Sequence, residues 1–134
     1  MKIQRITVDP DPYEQFRLAQ GYRVGDLVFI SGQTAIDTQG RIVGVGDFDA
    51  QAGQTFNNLD RVLRAGGSSL KNVIKVTIFL TDMSNFNRIV TLRGKWFTPP
   101  YPADTIVEVS SLYSPDAMIE IEAIAIVDSA AERI

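Results

Sequence analysis

The segment MIEIEAIAIV at 118–127 limits the fold more than any other part of the chain. It alternates with period two, the spacing of a strand whose successive side chains point to opposite faces of a sheet. Ile119, Ile121, Ala123 and Ala125 share one face, and Glu120 and Glu122 point together to the other. A second strand precedes it in YPADTIVEVS at 101–110, where Ile106, Val107 and Val109 are β-branched around the charge of Glu108. Asp104 stands between a proline-led turn and that strand. Asp104 and Glu120 are therefore expected near the ends of neighbouring strands. Two close carboxylates cannot ionise independently, and a shared proton would create a general acid. The plain alternatives are a turn cap for Asp104 and a solvated strand glutamate for Glu120.

The rest of the chain supplies partners for these strands. ITV at 6–8 reads as a first strand ended by DPDP at 9–12, and FRLAQGYRV at 16–24 as a second. Gly25 and Asp26 make a hairpin turn into LVFISGQTAI at 27–36, where Gly32 marks a bulge or a close backbone approach. At 48–65 the period changes. Phe48, Ala52, Phe56, Leu59, Val62 and Leu63 recur at helical spacing, with Asp47 as cap and Gly66-Gly67 as stop. VIKVTIFL at 73–80 is a fourth strand. A second helix is expected over 84–97, capped by Ser84 or Asn85, with Phe86, Ile89, Val90, Arg93, Trp96 and Phe97 along one face. TPPYP at 98–102 ends it.

The order β-β-β-α-β-α-β-β predicts one α+β domain over residues 1–134, a two-layer fold with both helices on one face of the sheet. A chain of this length holds a small core, so a site between subunits is the sensible expectation. The last two strands carry apolar residues of one parity that cannot all face water. A homo-oligomer that buries the opposite face is the economical answer.

Composition narrows the chemistry. Thirteen Lys and Arg against 16 Asp and Glu give a net charge of −3, with no basic run, so no nucleic-acid partner is expected. There is no Cys and no His, which excludes thiolate nucleophiles, zinc–thiolate sites and every His-containing triad. Acid–base work falls to carboxylates, Lys, Tyr, main chain or water. Lys75, in the fourth strand, is the one amine worth naming as a nucleophile. No run resembles a calcium loop, and neither a metal nor a cofactor is expected. No apolar signal segment or membrane-length stretch occurs, so a cytoplasmic protein without membrane contact is expected.

PYEQ at 12–15, GDLVFISGQTAID at 25–37, QTFNNLDRVLRAGGSSLKNVIKVTIFLTDMSNF at 54–86, PADTIVEV at 102–109 and IEIEAIAI at 119–126 together resemble the reactive intermediate deaminase family, also called YjgF/YER057c/UK114. The resemblance implies a chorismate-mutase-like fold and a homotrimer with clefts between subunits. It also implies hydrolysis of 2-imino or 2-enamino acids to 2-oxo acids and ammonia. In such proteins an arginine in a proline–alanine–arginine turn pairs with the substrate carboxylate. Here Pro102 and Ala103 are followed by Asp104, a charge of the opposite sign.

Other matching positions divide. Glu120 is kept, and the resemblance makes it the residue that positions and polarises the attacking water. Tyr13 is kept as a cleft wall, and Ser31 and Gly32 match the strand that offers backbone groups to a ligand. Phe86 is core or pocket wall. Val90 stands where an amide side chain often reaches the ligand. Arg93 shares the helix face of Val90 and either points to solvent or sends a guanidinium towards the cleft to restore a carboxylate anchor.

Three functions follow as expectations. The first is a diverged hydrolase or deaminase of a small imine, enamine or amine-bearing metabolite that lacks the usual free carboxylate, with Glu120 and Asp104 at its centre and little activity on 2-iminobutanoate. The second is a non-catalytic small-molecule binder using the same cleft. The third is a structural or protein-partner role.

Overall fold

In the computed structural model, which describes residues 1–134, the helical period at residue 48 marks the start of a helix (α1, Phe48–Ala65). The Asp47 side chain accepts a hydrogen bond from the Ala50 amide at 3.1 Å, satisfying one of the free donors of the first turn. The apolar stripe predicted from spacing is the buried one, with Phe56, Leu59 and Leu63 fully enclosed.

Six strands form one mixed sheet. They are β1 (Ile3–Ile6), β2 (Gly21–Val24), β3 (Leu27–Gln33), β4 (Val73–Leu80), β5 (Ala103–Glu108) and β6 (Ile119–Ile126). Their spatial order is β1-β2-β3-β6-β4-β5. All neighbours are antiparallel except β4 and β5, which run parallel and are joined by a second helix (α2, Phe86–Trp96). A parallel pair needs such a crossover.

Both helices lie on one face of the sheet, over Val28, Ile30, Val76, Ile78, Leu80, Ile119, Ile121, Ala123 and Ala125. The two-layer α+β fold expected from the element order is therefore the one found. The other face carries Tyr22, Leu27, Phe29 and Val107, all exposed, beside the half-buried Ile124 and Ile126. No helix is long and apolar enough to cross a membrane.

Some boundaries differ from expectation. The first strand shares only Ile6 with the predicted 6–8, because its pairing with β2 runs from Ile3↔Val24 to Ile6↔Gly21 and stops where β2 begins. Residues 16–20 do not belong to β2. Glu14–Phe16 instead form a 3₁₀ turn, and Arg17 takes a left-handed φ of 60°, which breaks extended structure. Neither Ser84 nor Asn85 caps α2 with its side chain. Asp82 accepts from the Ser84 amide at 2.9 Å and starts a 3₁₀ turn, Met83–Asn85, that leads into the helix.

Replacing the cap by Asp47→Ala should lower stability by about 1 kcal/mol, read as a shift in the denaturant midpoint without a change in slope. An unchanged midpoint would mean that solvent serves the freed amide equally well.

Candidate functional site

The strand order decides which charged residues meet. In register, Glu120 lies opposite Phe79, and Asp104 lies opposite Val76. β4 therefore separates the two, and they also sit on opposite faces of the sheet, since Val76 is buried under the helices and Phe79 faces away from them. The expected meeting of Asp104 and Glu120 does not occur within one chain. It assumed that consecutive strands are neighbours, and the parallel crossover through α2 places β4 between them.

Glu120 belongs to a cavity of about 530 Å³ on the open face, lined by Tyr13, Phe16, Leu18, Ser31, Gly32, Thr34, Tyr113, Glu120 and Glu122. A β-bulge shapes its floor. Ile30 pairs with Ala123 and Gln33 with Ile121, so β3 carries one residue too many, and Ser31 and Gly32 fall at the irregularity. The Tyr13 hydroxyl donates to the Gly32 carbonyl at 2.6 Å, and the Ser31 hydroxyl to the Ala19 carbonyl at 2.6 Å.

Gly32 has a structural reason of its own. A Cβ there would stand 2.6 Å from Glu120 Oε2 and 2.8 Å from its carboxyl carbon, so the glutamate side chain lies flat across the glycine. The Glu120 carboxylate makes no hydrogen bond within the chain. Burial, and secondarily the charge of Glu122, push its pKa above the usual glutamate value. Burial also raises the Tyr13 phenol, with Glu120 adding to the effect, so Tyr13 remains a neutral donor at ordinary pH. Beside them, the buried Thr34 hydroxyl has no hydrogen-bond partner.

Asp104 belongs to a different cavity of about 560 Å³ between α2 and β5, lined by Phe86, Val90, Arg93, Gly94, Phe97, Tyr101, Pro102, Asp104 and Ile106. Arg93 Nε donates to Asp104 Oδ2 at 2.9 Å, and the two side chains are only 23% and 17% exposed. The guanidinium carbon lies 5.8 Å from the centre of the Phe86 ring. The predicted face of α2 thus splits in two. Ile89 and Trp96 pack on the core, Phe86, Val90 and Arg93 line the cavity, and Phe97 does both.

Phe16, Thr34, Tyr101 and Tyr113 were not singled out from the sequence as site residues. Tyr113 and Phe16 pack edge to face, with centroids 5.8 Å apart. Lys75 is tied down, donating to the Thr105 hydroxyl at 2.8 Å and the Val76 carbonyl at 3.0 Å. A third cavity, of about 340 Å³, is lined in part by the carboxamides of Gln20, Gln33, Gln54, Asn57 and Asn58. Its Gln20, Gln33 and Asn58 side chains bond one another's surroundings and fix the chain rather than await a ligand. No group of three or more acidic side chains is placed to hold a metal ion.

This fold occurs in known proteins. The family model described as endoribonuclease L-PSP matches residues 8–127, and the chain belongs to that family, which includes the reactive intermediate deaminases (RidA, YjgF/YER057c/UK114). A RutC family protein of Pyrococcus horikoshii is 40% identical over 107 residues, covering 80% of this chain and 84% of the relative. A 2-iminobutanoate/2-iminopropanoate deaminase of Dermatophagoides farinae is 31% identical over 127 residues, 95% and 97% of the two chains. The crystal structure of RidA from the Antarctic bacterium Psychrobacter sp. PAMC 21119 superposes with a TM-score of 0.85 at 34% identity, covering 92% and 99%.

Two outcomes test this geometry. Gly32→Ala should fold with a near-native melting temperature while turning the Glu120 carboxylate out towards water. Carboxyl-carbon NMR should then show the Glu120 pKa falling back towards about 4.3; an unmoved value would refute the close approach. Glu120→Gln addresses pH. A raised pKa means that the folded state holds the proton more tightly than the unfolded one, so stability falls as pH rises from the unfolded to the folded value. The variant should therefore melt higher than the parent at pH 7, and the difference should vanish at a pH below both values.

Proposed function

We propose that this chain is a diverged hydrolase of the family, acting on a small imine, enamine or amine-bearing metabolite in a cleft completed by a second copy within a homotrimer. The observation that carries the reading is the Glu120 carboxylate: half-buried, unpartnered, proton-hungry and pressed against Gly32 at the floor of a cavity. Such a group is suited to take a proton from water at the moment the water attacks. Adding the water oxygen to the carbon of a protonated imine gives a neutral carbinolamine and leaves one water proton on Glu120. Returning that proton to the nitrogen makes ammonia the leaving group, and as the carbon–nitrogen bond breaks Glu120 takes the hydroxyl proton, giving ammonia and a carbonyl compound. Burial keeps the carboxyl basic enough for the first transfer and acidic enough for the second.

Two features support a cleft shared between copies. The Glu120 cavity and the Arg93–Asp104 cavity open on opposite faces of one chain, so one subunit offers half of each site. The exposed Tyr22, Leu27, Phe29 and Val107 give the open face a surface that another copy would cover. The named activity of the mite relative is consistent with imine hydrolysis. Asp104 sits where the resemblance calls for an arginine, so 2-iminobutanoate should be hydrolysed more slowly than by an arginine-bearing relative. The residues most directly engaged would be Glu120 with Tyr13, Ser31 and Gly32 on one wall, and Phe86, Val90 and Arg93, backed by Asp104, on the other.

The test generates small imines in situ with an amino-acid oxidase and follows ammonia release against the spontaneous rate. At least one imine should be hydrolysed faster than background, and Glu120→Gln should lose roughly 10²–10⁴-fold. Absence of acceleration across a panel of charged and neutral imines would remove the catalytic reading in favour of a binding protein. Light scattering should give three times the chain mass, and a stable monomer at micromolar concentration would remove the shared cleft.

A further inference from the structure

We propose that Arg93, held in place by Asp104, is the anion anchor of the cleft, and that the ligand it receives carries a planar carboxylate. This deepens the reading above, since the anchor forms one wall of the same cleft. The argument rests on how the guanidinium is used. Arg93 spends only its Nε on Asp104, at 2.9 Å. Its two terminal nitrogens make no hydrogen bond within the chain, and Arg93 lines a cavity of about 560 Å³. A guanidinium in that state keeps the parallel pair of donors that fits a carboxylate bidentately.

The surroundings fix its direction. Arg93 is 23% exposed, so the charge is not simply directed into bulk water. The Phe86 ring lies 5.8 Å away, a distance that favours a cation beside an aromatic ring. Gly94, the next residue on α2, brings no side chain into the cavity, and an added Cβ there would touch nothing. Val90, Phe97 and Ile106 supply apolar walls. A cavity with one guanidinium fork, aromatic and aliphatic walls and an open floor suits a small organic acid. A metal ion would meet only one carboxylate there, already engaged.

Asp104 is then a positioning residue. It touches Arg93 rather than the ligand, fixes the guanidinium plane through Nε, and leaves the fork end free. It also neutralises the pair as a whole, so the anchor recognises by hydrogen-bond geometry more than by net charge.

Calorimetric titration of the intact protein with 2-oxobutanoate and with its neutral amide, 2-oxobutanamide, tests the assignment. The acid should bind more tightly than the amide. Arg93→Gln should weaken acid binding roughly 30-fold or more and leave amide binding nearly unchanged. Arg93→Lys, which keeps the charge without the fork, should recover only part of the loss and serves if the glutamine variant folds poorly. Asp104→Asn should raise KM for a carboxylate-bearing imine with little change in kcat, and Asp104→Glu should restore it in part. No saturable binding of the acid, or equal binding by parent and Arg93→Gln, overturns the anchor. The hydrolase reading fails separately. If no imine is hydrolysed while acid binding still depends on Arg93, the anchor stands without the catalysis. If imines are hydrolysed with equal KM in parent and Arg93→Gln, the catalysis stands and the anchor falls.

Discussion

The packing of α1 on β6 is the contact on which the remainder of the molecule depends. Ile119 and Ile121 are fully buried beneath Phe56, Leu59 and Leu63. Full burial of side chains this large contributes about 1.5–3 kcal/mol each. Gln51, also fully buried, ties the approach to β6. It donates to the Asp116 carbonyl at 2.7 Å and accepts from the Met118 amide at 2.9 Å. With one face of β6 committed to the helix, period two sends Glu120 and Glu122 to the other. Glu120 has no freedom to join the core and is half-buried where it lies, and its perturbed proton affinity follows from that position.

Neighbouring strands extend the same constraint. The bulge in β3 brings Gly32 under Glu120, and the Tyr13 hydroxyl locks that bulge to the segment before β2. On the far side, β4 interposes itself between β6 and β5, so the second charged site is turned towards α2. One sheet thus presents two different chemistries on its two faces: an unpaired carboxylate on one and a paired, half-buried guanidinium on the other.

How much of this was legible varies with the strength of the local pattern. β4, α1 and β6 are strongly patterned over eight residues or more, and their limits were read nearly residue for residue. β1 and β2 are four residues each, and polar or glycine positions blur their ends. Gly32 was legible as a bulge or a close approach, and it is both, because a glycine inside a strong strand has few other uses. The separation of Asp104 from Glu120 was not legible, since strand order depends on the handedness and length of a crossover rather than on either strand. Arg93 was placed on the face of Val90 by helical spacing alone. That it would find Asp104 was not, because the partner lies across a chain reversal through three prolines.

The Arg93–Asp104 pair also constrains how this chain can change. Removing the guanidinium alone would strand a carboxylate that is 17% exposed, and removing the carboxylate alone would release a long cation into a mostly apolar recess. Either step is costly because the surviving charge keeps its desolvation without its partner. The two positions are therefore linked in descent. A lineage can leave this arrangement by exchanging both residues or by first opening the recess to water, and sequences carrying one half of the pair should be scarce among those that keep Phe86 and Phe97.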